Sequence, residues 1–309
     1  MKDAISLVST KRNDESIRKS ISEAMNLISF KPSNEVKSIV IKPNMCYYWT
    51  ASTGETTDPQ VVAGLVDVLR DQFGEKTEIR IAEADATAMR TRHAFSMLGY
   101  RRLAKKKNVE LFNLSEDELV TKEIEVNSKP LQVSVPKSLL TTDLFVNVPK
   151  VKVMTTGNVY ITCAMKNLFG CIASRRKIVY HKQLDEAIVG MSKILHPHIT
   201  IVDGIIALGQ YPYKLGLIMA GYNTFSIDWT VSQIMGYNPS NIEFLKIARK
   251  EGLGDPKNIV TYGEDIQHFK QMFPKKSMRL SKLSVTLRLE LLKLYTKLAG
   301  DVPHPVIDS

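Results

Sequence analysis

The sequence predicts an α/β fold: a mainly parallel sheet flanked by helices, with an inserted β-hairpin and a C-terminal amphipathic helix. Three observations predict it. Four short aliphatic runs, Ile39–Tyr47, Ile79–Asp85, Asp143–Lys152 and Ile199–Gly204, each end at once in charged or polar residues. That is the pattern of a buried parallel strand and its carboxyl end. Stretches of helical periodicity separate these runs, and one weakly alternating stretch interrupts them.

The elements follow in order. Asp58 is a suitable N-cap with Pro59 at the first helical position, and Val61, Val62, Leu65, Val66 and Leu69 form the buried stripe behind it. A short helix through Ala94, Phe95 and Leu98 stops at Gly99. Ser115–Pro136 alternates around Ile124, Val126, Leu131, Val133 and Val135, and Asn127-Ser128 marks a hairpin turn. Leu184–Leu195 reads as a helix ended by Pro197, and Phe225–Met235 as one closed by Gly236. Ser240 and Glu243 have capping-box spacing before another helix with Gly252 as its terminator, and Ile259–Tyr262 fits a last strand. Residues 1–270 read as one α/β domain, of one lobe or two, and 271–309 as a basic amphipathic extension.

In open α/β sheets ligands bind outside the carboxyl ends of the strands. Lys42, Asn44, Glu83, Asp85, Lys150, Lys152 and Asp203 all stand there. The most informative run is Val159–Ile172, VYITCAMKNLFGCI, which places Thr162, Lys166 and Asn167 in apolar surroundings. A lysine or asparagine so placed calls for an anionic or polar partner. Lys42, Lys150, Lys152 and Lys166 are the candidate cations for an anionic ligand, with Asn44, Thr162 and Asn167 to orient it. Asp85, Asp203 and Asp228 are candidate proton acceptors or hard oxygen ligands for a divalent cation. Each has a structural alternative, since Asp85 could cap a helix, Asp203-Gly204 is a turn pair and Asp228 lies among apolar neighbours. His181 is a candidate acid–base group, though after Arg175, Arg176 and Lys177 it also suits a surface position.

Nucleotide and hydrolase fingerprints are missing: no G-x-G-x-x-G, Walker A, H-E-x-x-H or G-x-S-x-G occurs. Three cysteines without framework spacing, no 18-residue apolar run and an N-terminus without an apolar core lead us to expect a cytoplasmic chain without a signal peptide. The net charge is +10, but residues 270–297 hold eight Lys and Arg against Glu290 alone. The remainder is near neutral, which argues against nucleic acid as the partner. Within 278–298, Leu280, Leu283, Leu287, Leu291, Leu294 and Leu298 form one helical stripe beside a basic face. This suits an anionic membrane surface, with packing on the domain or a partner as the alternative.

Several motifs together carry a resemblance: IKPNM, TTDP at Thr56–Pro59, AEAD, FVNVPKVK, TCAMKNLFG, Tyr180-His181 and IVDGI. Over Ile39–Gly254 they resemble the Domain of Unknown Function 362 family, which has no general reaction assigned to it. The resemblance implies an association with iron–sulfur chemistry, because many members carry a ferredoxin-like module. This chain has only Cys46, Cys163 and Cys171 and no C-x-x-C, so no iron–sulfur cluster of its own is expected. The family's Thr-His after P-K-x-K is replaced by Val153-Met154-Thr155, and Gly209–Gly216 matches the family's glycine- and proline-bearing loop loosely. Two functions remain: binding or transforming an anionic or phosphorylated small molecule, and service as a redox accessory to a separate ferredoxin-like protein.

Overall fold

The computed structural model describes residues 2–273, apart from 33–34, 88, 154–160, 175–176 and 210. Twelve strands occur among them: β1 Asp3–Ser9, β2 Ser38–Pro43, β3 Glu78–Glu83, β4 Glu110–Asn113, β5 Leu119–Val126, β6 Lys129–Pro136, β7 Leu144–Val148, β8 Lys150–Val153, β9 Ile161–Thr162, β10 Ile199–Leu208, β11 Pro212–Gly221 and β12 Ile259–Gly263. The main sheet runs β12-β1-β11-β10-β7-β2-β3-β4, with β8 and β9 attached beside β10. Neighbours from β10 to β4 are parallel, and β11 runs against both β1 and β10.

Alternation along the strands builds two cores, because successive side chains leave opposite faces. Ile39, Ile41, Val146 and Ile201 pack with Ile17 and Ile21 of one helix (Asp14–Leu27) and Leu65 of another (Pro59–Phe73). Val40, Phe145 and Val202 pack with Leu168, Ile188 and Phe225 from the helices Ala164–Phe169, Leu184–Ile194 and Thr224–Ile234. Covered on both faces, the central strands are apolar almost throughout until their carboxyl ends.

The helix after β2 starts as its sequence requires: Asp58 Oδ1 accepts from the Gln60 N–H at 3.0 Å, with Pro59 at the first position. In the hairpin β5–β6, Asn127 and Ser128 take φ of 52° and 59°, the left-handed pair of a tight hairpin turn. The hairpin packs on the helix Leu184–Ile194 at Gly190, where a side chain would collide with Leu131 and Ile124.

Two local expectations are corrected. Ser240 and Glu243 form no capping box: the helix begins at Glu243 after Ile242, and Asn238 caps a preceding 3-10 turn by accepting from the Ser240 N–H at 3.0 Å. An Asn-Pro pair so placed captures the chain before Ser240 can. Gly209–Gly216 is not a loop throughout, because β11 begins at Pro212 and pairs with β10 from Leu208 back to Thr200. The stripe 278–298, Arg175, Arg176, Met154 and Thr155 lie outside the described residues.

Candidate functional site

The register of the central strands sets Lys42 of β2 beside Asn147 of β7, and Asn147 beside Thr200 of β10. By alternation these three share the face of Val40, Phe145 and Val202, so a polar row crosses the sheet on that face. The helix Ala164–Phe169 lies over that row. Its Asn167 donates to Asn147 Oδ1 at 2.8 Å and to the Lys42 carbonyl at 3.2 Å, and accepts from Lys42 Nζ at 3.1 Å. Lys42 Nζ also donates to the Pro43 carbonyl at 2.9 Å and to Glu83 at 2.9–3.0 Å. Three donors meet three acceptors, so this buried lysine is satisfied and its charge is neutralised. Gly170 allows the close packing, since a Cβ there would stand 3.1 Å from Lys42 Nζ and 2.9 Å from the Asn167 carbonyl. We expect Gly170→Ala to disturb the Lys42–Asn167 contact and to cost about 1–3 kcal/mol, read by chemical denaturation.

A second buried cluster centres on Asp203. Lys150 opposes it in the β8–β10 register, and Lys150 Nζ lies 2.7 Å from Asp203 Oδ2 with both side chains 0% exposed. Asp203 also accepts from the Asp58 N–H at 2.7 Å and the Ile205 N–H at 3.0 Å. Asp58 in turn pairs with Arg12 at 2.7 Å. The neighbouring Thr57 hydroxyl donates to the Val148 carbonyl at 2.8 Å and accepts from the Asn44 N–H at 2.9 Å. The Thr56–Pro59 segment thus pins the ends of β2, β7 and β10 together.

Between these clusters and solvent lie three more lysines. Lys152 Nζ is held by Glu55, at 3.2 Å from its carbonyl and 3.0 Å from Oε2, and Asn44 donates to the same carbonyl at 2.7 Å. Lys177, buried, donates to the Gly170 carbonyl at 2.6 Å. Lys166 differs from all of these. Its Nζ lies 4.0 Å over the Phe169 ring and makes no hydrogen bond or ion pair among the described residues. Burial first, then the charges of Lys152 and Lys177, lower its pKa to about 7. Burial and Lys42 lower Lys177 to about 8, against the pull of Glu83. Thr162, directly opposite Lys152 in the β8–β9 ladder, has a buried hydroxyl without a hydrogen-bond partner among the described residues. His181 stands at the rim, its ring 6.5 Å from Phe169, and partial desolvation together with Lys166 lowers its pKa.

A family profile described as "Domain of unknown function (DUF362)" matches residues 39–233. The chain belongs to this family. The chain is also similar to the "Thylakoid-associated protein sll1697" of Synechocystis sp., at 24% identity over 245 residues, covering 75% of this chain and 72% of that protein. Among solved structures it is similar to the lactate racemase apoprotein from Thermoanaerobacterium thermosaccharolyticum, with a TM-score of 0.41 and 14% identity. That match covers 71% of this chain, which spans 54% of the racemase's length.

In this DUF362 chain the three candidate carboxylates are not brought together. Among the described residues no three His, Cys, Asp or Glu side chains are grouped as a metal ion would need. Asp85, Asp203 and Asp228 do not form one such group, and each is engaged locally by its own partners. Asp85 accepts from the Thr91 N–H at 2.9 Å and meets Arg90 at 3.5 Å, at the start of the helix Thr91–Met97. Asp228 accepts from the N–H groups of Ala164 at 2.6 Å and Met165 at 3.0 Å, capping the helix that carries Lys166 and Asn167. Burial raises its pKa to about 7 against those two hydrogen bonds. Burial likewise raises the Cys163 thiol well above its ordinary value and Cys171 to about 12. Sequence reasoning passed over Asn147, Glu55, Asp58 as a partner of Arg12, and Lys177. Asn147 carried the same signal as Asn167, a polar side chain inside an apolar run, whereas Lys177 was hidden in a basic run that reads as surface.

Proposed function

We propose that this chain binds an anionic small molecule, bearing a carboxylate or phosphate, beside the carboxyl ends of β2 and β8, and that Lys166 selects it. One observation supports this most: a partly buried lysine has no counter-charge among the described residues while other lysines crowd it. Lys42 and Lys152 have Glu83 and Glu55, but Lys166 and Lys177 have no carboxylate in contact among the described residues. An anion seated among them removes the repulsion and supplies the missing partner.

The groups facing Lys166 are Lys42, Lys152, Lys177, the Cys46 thiol and His181. Lys166 is protonated below about pH 7, so anion binding is strongest there and falls as pH rises. Sulfate keeps its charge across this range and is a clean probe. By calorimetry we expect it to bind about tenfold more weakly at pH 8 than at pH 6. Lys166→Met should remove most of that binding and its pH dependence while leaving the melting temperature unchanged or slightly raised. A lowered melting temperature with sulfate binding intact would make Lys166 a structural residue.

A second proposal concerns where the chain works. The cyanobacterial relative is named as thylakoid-associated, and the apolar stripe with its basic face in 278–298 suits an anionic bilayer surface. Among the described residues no helix is long and apolar enough to cross a membrane, so the association proposed is peripheral. The full chain should float with vesicles containing acidic lipid, and a chain cut after Pro274 should not. Equal behaviour of the two chains would rule this out.

A further inference from the structure

We infer that Lys166 is a nucleophilic amine that captures the carbonyl group of a small carbonyl acid, an aldehyde or ketone bearing a carboxylate, as an imine. This rests on the anion site proposed above and gives it a substrate class and a reaction.

The other lysines of the region cannot play this part. Lys42 spends three donors on Pro43, Glu83 and Asn167; Lys150 is locked to Asp203; Lys152 is bound to Glu55; Lys177 is bound to the Gly170 carbonyl. Each of these bonds favours the ammonium form, whose nitrogen has no lone pair to offer. Among the described residues Lys166 Nζ meets only the Phe169 ring face at 4.0 Å, a contact that favours the ammonium weakly, and no hydrogen bond or carboxylate there holds its proton. Like charges and partial burial favour the neutral amine, and the value of about 7 agrees with this. At pH 7 about half of such an amine is free, against about 1 in 2,500 for a solvated lysine. The same cations that release the Lys166 proton can hold a carboxylate. Lys152 and Lys177 would anchor the acid group while the carbonyl carbon meets Lys166 Nζ. The buried Thr162 hydroxyl, opposite Lys152 and without a partner among the described residues, is a further polar group of this segment.

The step balances without an oxidant or reductant. The Nζ lone pair forms a C–N bond, and the carbonyl π pair moves to oxygen, which is protonated to give a carbinolamine. Loss of that oxygen as water, with the two protons the amine gives up, leaves the imine.

Glyoxylate with sodium cyanoborohydride at pH 7 tests this on the full chain, because hydride reduces the imine to a stable carboxymethyl-lysine that peptide mass mapping locates. We expect Lys166 to be modified at least about 100-fold faster than exposed lysines, on the free-amine fractions above. Sulfate should suppress the reaction, and propionaldehyde, which lacks the carboxylate, should modify Lys166 at least tenfold more slowly. Lys166→Arg keeps the charge without the nucleophile, so sulfate should still bind and the adduct should vanish. Modification spread over surface lysines, with sulfate binding intact, overturns the amine and leaves the anion site standing. A Lys166 adduct that sulfate neither suppresses nor competes for overturns the anion site and leaves the amine. Equal rates with glyoxylate and propionaldehyde overturn the substrate class.

Discussion

Asp203→Ala is expected to destabilise the chain by about 3–5 kcal/mol, because it strands a buried charge. Asp203 is 0% exposed and answers three donors: Lys150 Nζ at 2.7 Å, the Asp58 N–H at 2.7 Å and the Ile205 N–H at 3.0 Å. Alanine leaves the Lys150 ammonium without a counter-ion in a site closed to water, and two N–H groups lose their acceptor. For a chain of this size the melting temperature should fall by about 5–10 °C. The second variant is more telling. Adding Lys150→Met to Asp203→Ala removes the stranded charge while keeping apolar volume, and should recover about 1–3 kcal/mol. If the double variant is no more stable than Asp203→Ala alone, the loss comes from the two stranded backbone N–H donors and the ion pair contributes little. In either case sulfate binding at Lys166 should survive in whatever fraction stays folded, because Asp203 and Lys166 share no hydrogen bond.

The strand ends were legible because burial on both faces leaves an unmistakable pattern: aliphatic until the last residue, then charged. Lys42, Asn44, Asp85 and Lys150 follow that pattern, whereas Asp203 stands mid-strand because β10 runs on to Leu208. Asp58 was legible as an N-cap because its partner, the Gln60 N–H, is two residues away. What the sequence does not show is which charge meets which. Glu83 reaches Lys42 from 41 residues away, Asp203 reaches Lys150 from 53, and Glu55 reaches Lys152 from 97. The pairing of β2 with β3, the register of β8 on β10, and the segment after β2 that carries Glu55 bring such groups together. Read in sequence, four lysines look like equal sources of positive charge. In the fold Lys42, Lys150 and Lys152 each have a carboxylate partner, and Lys166 has none among the described residues.

The same distance in sequence conceals the anchor of the Lys166 helix. Asp228 is separated from Ala164 by 64 residues and sits in an apolar helix, where a lone carboxylate suggests chemistry. The structure makes it a cap from outside. Ala164–Phe169 is only six residues long, too short to be stable through its own hydrogen bonds, and its N-cap residue, Cys163, supplies no side-chain acceptor. Both Asp228 oxygens serve instead, one for each of the first two N–H groups.

Asp228→Ala should therefore cost about 2–4 kcal/mol, the penalty for two buried donors left unsatisfied, less the burial cost of the carboxylate. The pH dependence has a definite sign. Burial raises the folded-state pKa of Asp228 from the ordinary carboxylate range to about 7, so the folded chain holds a proton that the unfolded chain releases. That contribution is present below the unfolded value near 4 and is lost as pH rises through about 7. The wild-type chain should lose stability over that window relative to Asp228→Ala, which cannot titrate, so the measured difference between the two should be larger at pH 5 than at pH 8. Since the helix carries Lys166 and Asn167, the variant should also bind sulfate more weakly at pH 6, where Lys166 itself is charged. Denaturation curves at pH 5 and pH 8, with sulfate titrations at pH 6, decide between a cap and a catalytic carboxylate. Unchanged stability with full sulfate binding would show that Asp228 is no cap and return it to the candidates for chemistry.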